Sequence, residues 1–328
     1  MARVRAYAYR GARLLPYDGG APVIPPDPDT GESGGGGGEP STGSGLLVGA
    51  AIDPPNQPSF AAANTQMGPW SVHRGFTGGG FPAAGWSGTT CGWDPGRWAS
   101  VWSGKPNPGS MASGSLDGTA RNFLLSIPAS HTAFVTIWHE ADVKIKQGTE
   151  SYSAAQYKAA WRRFFAIVRE VQAVRPHLYG CLVFGSYSYI SPRPGATLAE
   201  LWPGNGADGR PLVDLIAYDG YAFSGNESGA YMWGDGRAFA DSKGVAWGIA
   251  EAGLTQSVSG PAGATWMQNQ ADYAATHGAG PHSSAAFLCW FGSTVGNVLA
   301  TPAHYAQTRA KSAAISQQYY TPFTEFRL

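Results

Sequence analysis

Short apolar segments recur along the chain from residue 46 onward, with helical or loop segments between them. Eight such segments occur, at 46–53, 70–76, 98–103, 132–140, 178–187, 214–221, 246–254 and 285–291. Their starts are roughly 24 to 46 residues apart, which leaves room for a strand, a crossover helix and two loops. Continuous apolar strands that alternate with helices are typical of a parallel sheet buried on both faces. Eight such units predict a closed (β/α)8 barrel, the TIM-barrel fold, over residues 46–328.

The clearest predicted helix follows the fourth segment. Ser153 and Gln156 have the spacing of a capping box, and Pro176 marks the stop. Apolar side chains then recur at alternating steps of four and three, at Tyr157, Trp161, Phe164, Val168 and Val171. Such a stripe is typical of a helix that packs on a core. Residues 263–277 and 303–319 are predicted as the last two helices. The competing architecture is an open, doubly wound sheet, but no Gly-x-Gly-x-x-Gly turn follows the first segment.

The first 45 residues differ in composition from the rest. Residues 19–45 contain 15 Gly or Pro in 27 positions, which predicts a flexible linker. Residues 1–18 mix arginines with apolar and aromatic side chains but are too few to bury a core. We interpret them as a docking peptide for a structural protein partner; an expression remnant or a frayed terminus is the alternative. No unbroken apolar run precedes a cleavage site, so a signal peptide is not predicted.

Composition narrows the class of partner. The chain of 328 residues has 22 basic and 22 acidic residues. Because its formal net charge is zero, charge does not indicate a nucleic-acid or membrane-surface partner. No run of about 18 apolar residues occurs, so no membrane insertion is expected. Charged residues make up 13% and aromatic residues 12%, a balance that suits stacking on neutral sugars. The three cysteines, Cys91, Cys181 and Cys289, are too far apart for a zinc knuckle or a disulfide framework and are predicted to be buried.

Two predicted strands end in carboxylates. The fourth segment runs into His139 and Glu140, with Asp142 just beyond, and the seventh holds Glu251 in an otherwise apolar run. Active sites of such barrels lie at the carboxyl ends of the strands. Either acid alone fits a surface loop, but two across a barrel mouth can perform glycosidic chemistry. Carboxyl groups about 5–5.5 Å apart would retain anomeric configuration, and about 6.5–9.5 Å would invert it. Strand alternation points His139 and Glu140 to opposite sides unless the strand end bulges or breaks.

Three strand endings together resemble glycoside hydrolase clan A, and family 26 most. These endings are Trp138-His139-Glu140, Asp219-Gly220-Tyr221 and Ile249-Ala250-Glu251-Ala252-Gly253. The resemblance covers the barrel and implies a β-mannanase-like glycosidase. It implies Glu140 as the acid/base, with His139 contacting the substrate or orienting the acid. It also implies Glu251 as the nucleophile.

The resemblance further implies a set of supporting residues. Tyr221 would hydrogen-bond the nucleophile with Asp219 nearby, and Trp290 at the end of the eighth segment would form the aromatic floor of the sugar site. His73 is a weaker match to a substrate contact. Interior packing is the alternative for Trp290, capping of the core for Tyr221, and an ordinary buried histidine for His73.

One departure bears on the substrate. The family commonly follows its His-Glu with Asn-Gly and aromatic residues, whereas this chain has Ala141-Asp142-Val143-Lys144. The family acts on β-mannans, with some members acting on mixed-linkage glucans or xylans, and the choice among them does not carry over to this chain.

The predicted barrel contains no sequence motif typical of metal-dependent, serine-hydrolase or phosphate-binding sites. The chain contains no His-x-x-x-His and no phosphate-binding loop, so neither a metal nor a cofactor is expected. Outside the predicted linker it also contains no Gly-x-Ser-x-Gly, the commonest signal of a serine hydrolase. A barrel lyase or isomerase would need a Lys or metal-carboxylate cluster at the strand ends. We therefore expect a retaining endo-glycoside hydrolase acting on a β-linked polysaccharide; the alternative is a catalytically inactive carbohydrate-binding or adhesion barrel.

The first 45 residues also bear on location. With no signal peptide, they suggest an extracellular role on a virion, as a bacteriophage tail component that opens host surface glycan. Secretion by another route and cytoplasmic trimming of oligosaccharides are the rival locations.

Overall fold

The structure is a computed structural model that describes residues 45–52, 60–88, 98–149, 152–190, 192, 194–222, 224–254, 260–292, 306–322, 326 and 328. The predicted docking peptide, all but the last residue of the predicted linker and Cys91 lie outside the described residues. These predictions therefore stay predictions.

The described residues form eight parallel strands. They are β1 (Leu47–Ile52), β2 (Val72–Phe76), β3 (Ala99–Gly104), β4 (Ala133–Ile137), β5 (Leu178–Gly185), β6 (Leu215–Ala222), β7 (Ala246–Leu254) and β8 (Phe287–Gly292). Each strand pairs with the next along the chain, and β8 pairs with β1 to close the barrel. All eight predicted segments are strands, and the (β/α)8 barrel is confirmed.

Ten α-helices are described around the barrel. They are α1 (Phe60–Met67), α2 (Pro108–Ser113), α3 (Asp117–Leu125), α4 (Ala141–Gln147), α5 (Ala154–Gln172), α6 (Tyr187–Ile190), α7 (Leu198–Leu201), α8 (Gly229–Ser242), α9 (Gly260–Thr276) and α10 (Ala306–Gln318). Helix α5 begins with the predicted capping box: the Gln156 amide donates to Ser153 Oγ at 3.3 Å, and the Ser153 amide donates to Gln156 Oε1 at 2.8 Å. Its predicted apolar stripe is buried. No helix in the described part of the chain is long and apolar enough to cross a membrane.

Alternate residues of each strand supply two separate cores. One side faces the helices and packs with them in a large aromatic-rich cluster that includes Trp161 and Trp247. The other side fills the barrel interior, where Cys181 and Cys289 are buried as predicted. Phe326 packs on Phe134 in the lower part of this interior, with ring centroids 5.6 Å apart. The interior is therefore a packed core, and in barrels of this fold the active site lies at the upper, carboxyl ends of the strands.

Close packing of neighbouring strands leaves no room for a side chain at Gly49. A Cβ atom there would lie 1.7 Å from the Val72 carbonyl oxygen on the adjacent strand. We expect Gly49→Ala to lower the free energy of unfolding by about 3 kcal/mol, because backbone cannot yield as a flexible side chain can. Urea denaturation of the purified variant measures this change.

Gly118 on α3 provides the matched control, because a Cβ there meets nothing within 4 Å. Gly118→Ala is expected to raise the same free energy by ~0.5 kcal/mol through lower chain entropy in the unfolded state. Equal stabilities of the two variants would contradict the close approach of β1 and β2.

Candidate active site

The chain leaves the extended conformation at the end of β4. The strand stops at Ile137, and both Trp138 and Glu140 have left-handed backbone angles, with φ of 60° and 55°. Each such residue costs about 1–2 kcal/mol unless its surroundings hold it. On a regular strand, His139 and Glu140 would point to opposite sides. The break removes this restriction, because the two residues no longer belong to one extended strand.

Neighbouring strands hold this break in place. The Trp138 amide donates to the Gly104 carbonyl of β3, and the Glu140 amide donates to the Val183 carbonyl of β5, both at 2.9 Å. The Trp138 indole nitrogen also donates to the Pro106 carbonyl at 2.6 Å. The turn that carries Glu140 is thus tied to both sides of β4.

A second irregularity places Glu251. In the pairing of β6 with β7, Tyr218 lies opposite Ile249 but the next residue, Asp219, lies opposite Glu251. Ala250 is the extra residue, and it belongs to the barrel interior. A bulge of this kind re-aims the side chain beside it. Glu251 therefore reaches the mouth although its neighbour Ala250 faces the interior.

Two groups contact the buried Glu251 carboxylate. The Tyr221 hydroxyl donates to Oε2 at 2.5 Å, and the Arg74 guanidinium lies 3.5 Å from Oε1. Arg74 is itself buried, donates to Ser103 Oγ at 2.7 Å and lies over the Phe76 ring at 4.2 Å. A fixed cation and a hydroxyl donor favour the ionised form of the carboxyl group.

Asp219 lies beside Glu251 but lacks hydrogen-bond partners like those of Glu251 among the described residues. Neither of its carboxyl oxygens has a hydrogen-bond partner among the described residues. Burial raises the pKa of Asp219 well above its usual range, the charge of Glu251 raises it further, and Arg74 opposes both. Burial also raises the pKa of Glu251 to about 7, with Arg74 and Tyr221 opposing and Glu140 adding to the rise. Of this pair, Asp219 is the stronger holder of a proton.

Glu140 belongs to the same group of charges. It is buried, and its Oε2 lies 3.6 Å from the Lys144 ammonium one turn along α4. Its negative charge contributes to the raised pKa values of both Glu251 and Asp219. The two glutamates predicted from strand endings therefore interact electrostatically at one barrel mouth.

His139 lies at this mouth as a neutral imidazole. Its ring is 5.1 Å from that of Phe76. Burial lowers the pKa of His139 well below its usual value, and the positive charges of Arg74, Lys105 and Lys144 lower it further. A neutral ring can both donate and accept a hydrogen bond.

Two predicted substrate contacts lie elsewhere. Trp290 is fully buried on the outer side of β8 and contacts Trp266 of α9, with ring centroids 6.3 Å apart. His73 stacks on Phe60 of α1 at 3.8 Å, and burial lowers its pKa to about 3. Each points away from the barrel interior because its neighbours on the strand point inward. Placing these two residues at the sugar site was therefore wrong.

Sequence reasoning missed two residues, Phe291 and Arg74, that face inward on the same strands. Phe291 follows Trp290, lies on the inner side of β8 and meets the Tyr221 ring edge-on, 5.8 Å between centroids. Arg74 follows His73 and likewise faces inward. Strict alternation from Val72 and Cys289, both in the interior core, would have found both.

The described residues contain no group of three or more His, Cys, Asp or Glu side chains placed to hold a metal ion. Carboxyl groups and apolar ring faces make up the mouth instead. This combination can bind an uncharged sugar ring and transfer protons to and from it.

Comparisons with known proteins support the fold. No protein-family model matches the sequence, and a search of curated protein sequences finds no match. The structure is similar to that of GH26C from Muricauda sp. MAR_2010_75, with 11% identity, a TM-score of 0.54 and coverage of 86% of this chain and 90% of that one. It is also similar to Bacillus subtilis mannanase man26, with 11% identity, a TM-score of 0.50 and coverage of 81% and 85%. The YdhT protein from Bacillus subtilis matches with 11% identity, a TM-score of 0.50 and coverage of 86% and 87%. The chain therefore shares the (β/α)8 barrel fold of these structures.

The burial of Asp219 predicts a pH-dependent stability change. The folded protein holds a proton on this carboxyl group that the unfolded chain releases above pH ~4, so Asp219 lowers stability as pH rises. We expect Asp219→Asn to raise Tm by about 2–5 °C at pH 8 and to change it little at pH 4. Thermal unfolding at both pH values measures the difference.

Asp117 is the matched control for this effect. It is a partly exposed aspartate whose pKa is lowered by a hydrogen bond from Arg163, so its influence on stability has the opposite sign. Asp117→Asn is expected to leave Tm at pH 8 unchanged or slightly lower. A gain at pH 4 as large as at pH 8 for Asp219→Asn would contradict the assigned protonation.

Proposed function

We propose that this protein is a retaining endo-glycoside hydrolase that cleaves a β-linked polysaccharide by double displacement. One observation carries the proposal. A buried carboxylate, Glu251, is held by Arg74 and Tyr221 at the strand-end mouth, and the second carboxyl group, Glu140, is close enough for its charge to raise the pKa of the first. Two carboxyl groups in different environments are what glycosidic bond cleavage requires.

In the first step, the Glu251 carboxylate attacks the anomeric carbon. The bond from that carbon to the glycosidic oxygen breaks while a bond to Glu251 forms, and Glu140 gives its proton to the departing oxygen. Arg74 and Tyr221 orient the nucleophile for this attack. They also stabilise it as the free carboxylate when it leaves again.

In the second step, water replaces the enzyme on the sugar. Glu140, now ionised, takes a proton from water, whose oxygen attacks the anomeric carbon and releases Glu251. The Phe291 and Phe76 rings offer apolar faces to a pyranose, and neutral His139 can hydrogen-bond a sugar hydroxyl. The bound sugar is uncharged in this proposal, so β-mannan is the first substrate to test, followed by β-glucans, xylans and bacterial surface glycans.

Substitution of the two glutamates tests the mechanism. We expect Glu251→Gln to lower kcat on the order of 10⁴-fold or more, because the covalent intermediate no longer forms. Glu140→Gln is expected to lower kcat by ~10²–10⁴-fold, as loss of a general acid does. Reducing-end release from the glycan panel measures both, and Glu170→Gln, on the exposed Arg121 ion pair, is the control that keeps full turnover.

A mechanism-based trap separates retention from inversion. A 2-deoxy-2-fluoro glycoside with a good leaving group should add one sugar mass to the peptide that contains Glu251. Turnover without any trapped adduct would favour an inverting reaction. Equal glycan binding by the wild-type protein and Glu251→Gln, with no turnover by either, would instead support a carbohydrate-binding barrel.

We also propose that residues 1–45 attach the barrel to a larger particle such as a bacteriophage tail. The support is compositional: a Gly- and Pro-rich segment follows a short peptide with basic and aromatic side chains. The full chain should co-sediment with such a particle, whereas residues 46–328 alone should stay in the free fraction with unchanged turnover. Recovery of both forms in the free fraction would contradict the attachment.

A further inference from the structure

Arg74 is the cation beside the proposed nucleophile, yet its charge acts on two neighbouring carboxyl groups. These are Glu251 and Asp219, which lie opposite each other in the pairing of β6 with β7. Arg74 Nη2 lies 3.5 Å from Glu251 Oε1, whereas Asp219 accepts no hydrogen bond from any described residue. The direction in which the guanidinium is held therefore decides which carboxyl group it contacts.

Ser103 of β3 accepts the shortest hydrogen bond that Arg74 makes. Arg74 Nη1 donates to Ser103 Oγ at 2.7 Å, while the carbonyls of Gly75 and Val101 lie at 3.4 and 3.5 Å. Short hydrogen bonds from a charged donor are the strong ones. Ser103 follows Val101 of the interior core by two residues, so its side chain points into the barrel. It is buried there together with the guanidinium.

Phe76 covers the same guanidinium. The central carbon of the group, Arg74 Cζ, lies 4.2 Å from the centre of the Phe76 ring. Such a cation–π contact is stronger where water is excluded, and Arg74 is about 1% exposed. A guanidinium is planar and rigid, so a bond at Nη1 and a ring over the plane also fix the direction of Nη2. In this structure Nη2 faces Glu251.

Charged and titratable groups from four parts of the mouth influence Glu251. They are Arg74 of β2, Asp219 and Tyr221 of β6, Glu140 after β4, and Lys144 of α4. Burial raises the pKa of Glu251 to about 7, and Arg74 is the strongest of the groups that oppose this rise. If Arg74 moved away, the pKa of Glu251 would rise further, and less of the nucleophile would be ionised near neutral pH.

We propose that Ser103 is a positioning residue that directs Arg74 at Glu251. Phe76 assists by covering the guanidinium, and Asp219 is left without this contact. Ser103 thereby selects which of two neighbouring carboxyl groups serves as the nucleophile. This catalytic consequence rests on the proposed glycosidase function. The effect of Ser103 on the ionisation of Glu251 is a property of the folded protein and can be measured without substrate.

Carboxyl ¹³C NMR of the full chain tests this effect directly. With glutamate side chains labelled and the Glu251 signal assigned by Glu251→Gln, the wild-type midpoint should be at about pH 7. In Ser103→Ala, Arg74 loses its closest acceptor, so the Glu251 midpoint should rise by roughly 0.5–1 pH unit. An unchanged midpoint would overturn the inference.

Ser100→Ala is the matched control. Ser100 is an equally buried serine on the same strand, and its hydroxyl also contacts a basic side chain, His131 Nε2, at 3.0 Å. It precedes Val101, however, and therefore lies on the other side of β3, away from Arg74. Ser100→Ala is expected to leave the Glu251 midpoint unchanged. A shift as large as that in Ser103→Ala would indicate a general change in the barrel and would also overturn the inference.

Covalent trapping tests the catalytic consequence without involving the acid. A dinitrophenyl 2-deoxy-2-fluoro glycoside of the sugar released from the glycan panel has a leaving group that departs without a proton. Its trapping rate therefore depends on the nucleophile. In Ser103→Ala, the pH at which this rate is half-maximal should rise together with the NMR midpoint. The maximal rate should fall ~10-fold, because the carboxylate is less well oriented.

The possible results separate the two proposals. A raised Glu251 midpoint and slower trapping in Ser103→Ala, but not in Ser100→Ala, support the inference. Slower trapping with an unchanged midpoint would contradict an action through Arg74. A raised midpoint in a protein that turns over no glycan and is never trapped would support the positioning of Arg74 by Ser103 and overturn the proposed function.

Discussion

Neighbouring side chains on an extended strand point to opposite sides, and the barrel mouth depends on where the chain departs from this rule. A regular strand offers the mouth only every second residue. Asp219 and Tyr221, two apart on β6, reach it by regular alternation. Glu140 and Glu251 reach it through irregular backbone: two left-handed residues after β4, and an extra residue in β7. The proposed chemistry therefore rests on two local departures from ideal strand geometry.

Four carboxyl groups lie close together at the mouth, and their mutual repulsion influences where its protons are held. They are those of Glu140, Asp142, Asp219 and Glu251; Arg74 lies against Glu251, and Lys144 lies against Glu140. Burial and mutual repulsion raise the pKa values of Asp142, Asp219 and Glu251. Because the groups are coupled, protonation of one makes ionisation of its neighbour easier. Arg74 and Tyr221 act on Glu251, which distinguishes the proposed nucleophile from Asp219 beside it.

Much of the fold could be predicted from the sequence because the barrel depends on a repeated pattern. Each apolar run marks a strand, and the capping box of α5 is a local arrangement that needs no distant partner. The strand-end location of Glu140 and Glu251 follows from the same pattern. Which side of the strand a residue faces near such an end is less predictable, as Trp290 and His73 illustrate.

The same cause explains what was missed. Phe291 and Arg74 are each one residue away from a predicted contact, and a shift of one residue changes the face of the sheet. Only the pairing of β6 with β7 reveals the bulge that turns Glu251, because bulges depend on register between strands. Likewise, the hydrogen bond from the Gly185 amide to Asp142 joins residues 43 apart in the chain.

Strain and desolvation at the mouth have to be supported by the rest of the molecule. Left-handed Trp138 and Glu140 together cost about 2–4 kcal/mol, and the buried carboxyl groups cost more. Two well-packed cores, one between strands and helices and one inside the barrel, offset this unfavourable free energy. Trp138 connects the turn to its surroundings, because its indole nitrogen donates to the Pro106 carbonyl and its ring packs on Tyr152. The position of Glu140 is therefore set by packing outside the mouth.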